Sequence, residues 1–140
     1  MKVLFDTNVI LDILLDRQPF SNDAAQLISR VERSEIQGFL CATTVTTIHY
    51  LMAKSLDGRR STTHIRLLLS LFEIAPVNRM VVENALECNF PDYEDAAIVE
   101  SAQHAGVEYI ITRNIKDFKK SSIPVYTPSG FIQALTSLKR

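Results

Sequence analysis

Four aspartates stand where a change of element would place them at segment ends. Asp6 closes a short apolar run at residues 2–5 and leads into Thr7-Asn8. Asp92 and Asp95 stand three apart ahead of an apolar helical pattern, and Asp117 follows a second apolar run, in Thr112-Arg113-Asn114-Ile115-Lys116-Asp117. Carboxylates gathered from separate segments repel by about 4 kcal/mol per pair at ~4 Å and an effective dielectric of ~20. A divalent cation removes that cost. Oxygen ligands without histidine or cysteine select Mg²⁺ or Mn²⁺ over zinc, and His49, His64 and His104 do not pair at metal-binding spacing. Such a cation activates a water and stabilises charge on a phosphodiester during hydrolysis. Taken singly, each acid is better read otherwise: Asp6 as a helix cap, Asp92 with Asp95 as a capping box, Asp117 among Lys116, Lys119 and Lys120 as a solvated loop. Their convergence on one edge is what makes them a site.

That convergence depends on the elements. Residues 2–5 read as a buried strand turning into a helix at 8–16 that is apolar nearly all round, through Val9, Ile10, Leu11, Ile13, Leu14 and Leu15. Ser21 is the expected cap of a second helix carrying Ala24, Leu27, Ile28 and Val31. A strand at 38–41 follows, then a helix from about Thr43 with Val45, Ile48 and Met52 on one face and Leu51 and Leu56 beside them. Asp57-Gly58 reads as a turn and Ser61 as the cap of a helix bearing Ile65, Leu68, Leu69 and Phe72, followed by a short strand at 73–77. Val81, Val82, Ala85 and Leu86 make another stripe. A helix through Ala96, Val99, Ala102 and Ala105 runs to Gly106, and strands are expected at 107–112 and 123–126. Thr127-Pro128 then caps a last helix with Phe131, Ile132, Leu135 and Leu138.

Short strands alternating with helices imply a three-layer α/β fold with a parallel sheet covered on both faces. Ligands bind such sheets at the carboxyl ends of the strands. Asp6-Thr7-Asn8, residues 43–47 and Thr112-Arg113-Asn114 meet that edge, as does the start of the helix at Asp92 and Asp95.

Composition agrees with one domain over residues 1–140: 46% apolar and 22% charged residues suffice for a core, and fifteen basic against sixteen acidic side chains leave a net charge of −1. No global field draws nucleic acid, so cations must act locally: Arg113, Lys116, Lys119 and Lys120 beside the acids, with Lys54, Arg59 and Arg60 extending the helix after the second strand. Cys41 and Cys88 sit among apolar residues and read as free buried thiols. With no signal peptide pattern and no membrane-length apolar run, a cytoplasmic protein is expected.

Phe5-Asp6-Thr7-Asn8-Val9-Ile10-Leu11-Asp12, Asp92-Tyr93-Glu94-Asp95-Ala96-Ala97 and Thr112-Arg113-Asn114-Ile115-Lys116-Asp117-Phe118, in this order and spacing, resemble the PIN-domain ribonucleases, including the VapC-type toxins. The resemblance spans nearly the whole chain. It implies a five-stranded parallel sheet of order 3-2-1-4-5, a homodimer, Mg²⁺- or Mn²⁺-dependent cleavage of RNA, and a cognate antitoxin protein. Position by position, Asp6 matches the first acidic ligand and Asp95 the acid opening the helix before the fourth strand. Asn114 and Asp117 match the region of the last acid, and Thr7, Asn8 and Thr112 match polar residues that orient the acids. Thr47 departs from the pattern, standing where relatives commonly carry Glu or Asp, and Asp92 is an additional carboxylate. A catalytically silent module that binds RNA or a protein is therefore the alternative. A dehalogenase-type phosphatase needs a second Asp at position 8, which is Asn. The paired acids of a response-regulator receiver are missing after the first strand.

Overall fold

The computed structural model describes residues 1–55 and 58–138. Five strands, β1 (Lys2–Phe5), β2 (Gln37–Cys41), β3 (Glu73–Ala75), β4 (Tyr109–Ile111) and β5 (Val125–Tyr126), form one parallel sheet in the order β3-β2-β1-β4-β5. β1 is central because its residues are apolar on both faces: Val3, Leu4 and Phe5 are all fully buried. It pairs with β2 on one side and β4 on the other, with Phe5 opposite Ile111.

Among the described residues seven α-helices cover the sheet: α1 (Thr7–Leu14), α2 (Ser21–Glu32), α3 (Ala42–Ser55), α4 (Gly58–Leu71), α5 (Arg79–Glu87), α6 (Tyr93–His104) and α7 (Pro128–Leu138). On one face Phe5 and Leu40 pack against Val9, Ile10, Leu27, Ile48, Met52, Leu68 and Phe131. The other face seats Leu4, Phe39 and Ile110 against Ile98, Val99 and Ala102 of α6. Each such side chain contributes roughly 1.5–3 kcal/mol when fully buried. The α/β layering and the strand order are as expected.

Several local expectations change. Ser21 begins α2 without capping it. Its hydroxyl instead donates to Asp16 Oδ1 at 2.8 Å, closing a turn in which Asp16 takes a φ of 47°. Ser61 lies inside α4, three residues past its start, and is fully buried. Arg59 and Arg60 therefore belong to α4, apart from Lys54 at the end of α3. Leu56 and Asp57 lie outside the described residues. β4 is shorter than 107–112 because the Val107 amide still closes the end of α6, donating to Ala102 O. Thr127 does cap α7, its hydroxyl accepting from Gly130 N at 3.0 Å. Cys41 and Cys88 are both free, but Cys88 is only partly buried. No helix among the described residues is long and apolar enough to cross a membrane.

Candidate active site

The strand order reverses direction between β1 and β4, which opens a crevice at their carboxyl ends. Asp6 and Thr112 are the first residues past those two strands. The Thr112 hydroxyl donates to Asp6 Oδ2 at 2.8 Å, and the Thr7 amide donates to Asp6 Oδ1 at 2.8 Å. Asp6 is thus both the cap of α1 and a side chain of the crevice. Asn8 ties the two strand ends together, with Nδ2 3.3 Å from Thr112 Oγ1 and Oδ1 accepting from the Arg113 amide at 3.3 Å. The Thr7 hydroxyl reaches Thr44 on α3 at 3.1 Å.

The N-terminus of α6 comes to the same edge. Asp92 Oδ1 accepts from the amides of Glu94 and Asp95 at 2.7 and 3.2 Å, so this carboxylate is engaged as the helix cap. Capping turns the first helical turn, with Glu94 and Asp95, toward Asp6. A cavity of about 320 Å³ results, lined by Asp6, Thr7, Asn8, Leu11, Arg17, Thr47, Glu94, Asp95, Ile98 and Arg113. Thr47 is on this wall, as its place after the second strand requires. Asp92, Asn114, Thr112 and Asp117 are not among the lining residues. Thr112 lies buried behind Asp6, and Asn114 and Asp117 are exposed beside the site.

Burial pushes the Asp6 carboxyl above its ordinary value against the hydrogen bonds from Thr112 and Thr7, and the charges of Glu94 and Asp117 raise it further. Asp95 is pushed up to about 7, first by burial and then by Asp92, Asp6, Asp117 and Glu94. Both Asp6 and Asp95 are thus raised by burial first and by acidic neighbours second, and groups perturbed in this way gather at functional sites. The donor chemistry fits a small hard cation such as Mg²⁺, which takes one or two carboxylates and keeps several waters. The acids surround the cavity without closing on a point: among the described residues no three His, Cys, Asp or Glu side chains gather as a ready-made ligand set.

The same cavity also has a basic lining, Arg17 and Arg113, and the sequence did not point to Arg17 or to the buried acid that anchors both. Asp12 is fully buried in α1, and a buried charge must be paired. Arg113 donates to it through Nε at 2.7 Å and Nη2 at 3.2 Å. Arg17 Nε lies 2.9 Å from Asp12 Oδ1, a contact of charges without the alignment of a hydrogen bond. Two guanidiniums on one carboxylate leave one positive charge in excess in the cavity that Asp6, Glu94 and Asp95 also line. An aspartate inside an otherwise apolar helix was the available signal for this pair, and Glu94 could have been found as the neighbour of Asp95. Lys116, Lys119 and Lys120 are exposed on the flank.

Comparison with known proteins agrees with this geometry. The chain is 28% identical, over 98% of its length and 97% of the relative's, to the protein named Ribonuclease VapC1 of Aquifex aeolicus (strain VF5). Its structure is similar to a toxin-antitoxin complex from Klebsiella pneumoniae (30% identity, 90% of this chain and 97% of that chain, TM-score 0.66). It shares its fold with FitAcB from Neisseria gonorrhoeae (22% identity, 91% and 98%, TM-score 0.69). The PIN domain family model matches residues 2–116, a span that holds β1 to β4 and every side chain lining the acidic cavity. With sheet order, acidic crevice and family model in agreement, this chain belongs to the PIN domain family.

Proposed function

We propose that the protein is a Mg²⁺- or Mn²⁺-dependent ribonuclease that hydrolyses RNA phosphodiester bonds as the toxin of a toxin-antitoxin pair in the cytoplasm, from one domain spanning residues 1–140. One observation carries the reading: Asp6 and Asp95 line a single cavity together with two arginines anchored on Asp12. A phosphodiester under attack by water needs both the acids and the arginines, since negative charge grows on its oxygens as the nucleophile arrives. The names of the Aquifex and Klebsiella relatives support the same reading.

Asp6 and Asp95 would hold the cation, with Asp92 acting through the helix cap and Asp117 and Asn114 at the rim. The bound cation supplies an activated water and charge neutralisation. Thr7, Asn8 and Thr112 fix the Asp6 carboxylate. Arg17 and Arg113 orient the phosphate oxygens, Thr47 offers a hydroxyl to them, and Glu94 stands to receive the proton of the attacking water. Lys116, Lys119 and Lys120 engage flanking phosphates. Tyr50 on α3 and Leu67 on α4 are exposed apolar side chains of two helices that pack together, and a homodimer or an antitoxin would bury them.

Thr47 on the cavity wall favours one second reading, a silent module that binds RNA or protein. Calorimetric titration with Mn²⁺ and incubation with single-stranded RNA separate the two. Metal binding with RNA cleavage supports the nuclease, and neither metal binding nor cleavage supports the module.

A further inference from the structure

A second cavity, of about 360 Å³, lies beside the acidic one and is lined by Phe20, Asp23, Arg113, Thr127, Pro128 and Ser129. Arg113 lines both. We propose that this second cavity is a base subsite that takes a guanine of the RNA; the proposal rests on the nuclease reading for its biological role.

Shape and surface chemistry carry it. The Phe20 ring is exposed at the cavity, and the Arg113 guanidinium lies over it with its carbon 4.0 Å from the ring centroid. The bidentate bond to Asp12 keeps that guanidinium from swinging away, so the platform is fixed before any ligand arrives. Bases splayed from single-stranded RNA stack on such aromatic and guanidinium planes. Pro128 adds an apolar wall without an amide donor. Because one side chain separates this cavity from the acidic one, the base it holds belongs to a nucleotide adjoining the phosphate under attack.

Asp23 selects the base. A carboxylate offers two acceptor oxygens and no donor, and among the described residues the Asp23 carboxylate has no hydrogen-bond or ion-pair partner. Guanine alone presents two adjacent donors, N1–H and the N2 amino group, on its Watson–Crick edge. Adenine and cytosine set their amino group beside an unprotonated ring nitrogen, and uracil sets one N–H between two carbonyls. Each of those edges turns a lone pair on the carboxylate. The Thr127 hydroxyl accepts from Gly130 N at 3.0 Å and lies 3.4 Å from the Ser129 hydroxyl, and bonds from these neutral groups are weaker than those to the Asp23 carboxylate.

The test is an NMR titration of the ¹⁵N-labelled protein in EDTA with GMP, IMP, AMP, CMP and UMP, following the Arg113 Nε–H and Phe20 amide signals. GMP is expected to bind about tenfold more tightly than AMP, CMP or UMP, the effect of one charge-assisted hydrogen bond, with IMP between them. Asp23→Asn should bring GMP to within about threefold of AMP, while Phe20→Leu weakens all five by removing the stacking face. Asp6→Asn should keep the preference. Equal affinities for the five nucleotides, no binding, or a guanine preference that survives Asp23→Asn overturns the subsite. RNA cleavage in Mn²⁺ is scored separately. A guanine preference in a protein that cuts no RNA sinks the nuclease reading alone, and cleavage without guanine preference sinks the subsite alone.

Discussion

Asp12 and Arg113, 101 positions apart in the chain, close a bidentate ion pair with Nε–Oδ2 at 2.7 Å and Nη2–Oδ1 at 3.2 Å. The carboxylate is fully buried in the first helix, and the guanidinium comes from the loop after β4, so the pair clamps both sides of the crevice. Arg17 approaches the same carboxylate from the turn beyond α1. Asp12→Asn strips the charge from this centre and leaves two guanidiniums facing each other. Urea denaturation should show a loss of about 3 kcal/mol, the effect of removing one partner of a buried pair. A loss below about 1 kcal/mol, the range of surface pairs, would mean that the clamp carries no weight.

The raised pKa of Asp95, about 7, sets a pH dependence. In the unfolded chain this carboxyl titrates near ~4, so between about pH 4 and 7 the folded protein holds a proton that the unfolded chain has lost. The associated stability is fully present below that window and disappears as pH rises through it. The metal-free protein should therefore be less stable at pH 8 than at pH 5 by on the order of 1 kcal/mol from this group, after solvent screening. Thermal melts at the two pH values check this, and Asp95→Asn should flatten the slope. Mn²⁺ affinity should rise across the same window, because the cation competes with that proton.

Thr47 lines the cavity without contributing charge. Thr47→Glu adds a carboxylate to the acidic wall, with opposite effects in the two states. Without metal the melting temperature should fall, and by calorimetry Mn²⁺ should bind roughly tenfold more tightly, as ligand charge count sets affinity. Unchanged affinity would place position 47 outside the cation's reach.

Much of this arrangement was legible in the sequence, and the reasons differ by element. The sheet could be read because its strands are continuous apolar runs stopped by polar residues, as at Phe5-Asp6 and Ile111-Thr112. Asp6, Asp95 and Thr112 followed from the rule that strand ends bear the chemistry. Asp12 to Arg113 was not legible, because nothing local links two residues so far apart. Arg17 was missed because α1 ends at Leu14 and the Asp12 to Arg17 approach depends on the tight turn that follows. The caps at Ser21 and Ser61 failed for different reasons: the Ser21 hydroxyl bonds Asp16 in the preceding turn, and Ser61 lies buried inside a helix that already starts at Gly58.

Gly38 in β2 is required by packing. A Cβ there would lie 2.7 Å from two carbons of the Phe72 ring and 3.1 Å from Val31. Gly38→Ala should cost about 1–3 kcal/mol by overpacking, read from the urea midpoint, and Gly38→Ala with Phe72→Leu should recover part of it. A neutral Gly38→Ala would contradict the close approach of Phe72, the residue that follows α4, to the sheet.

Whether the Asp6 crevice cuts RNA with a divalent cation is tested by the cleavage rate of a labelled single-stranded RNA in Mn²⁺ by the parent and by Asp6→Asn. The substitution keeps the size of the side chain and removes its charge. The parent should cleave at a rate that EDTA abolishes and Mn²⁺ restores, Asp6→Asn should be at least about a hundredfold slower, and the melting temperature of Asp6→Asn should be no lower than the parent's. Equal rates for the two proteins, or a parent rate indifferent to EDTA, would contradict metal-dependent cleavage at this crevice.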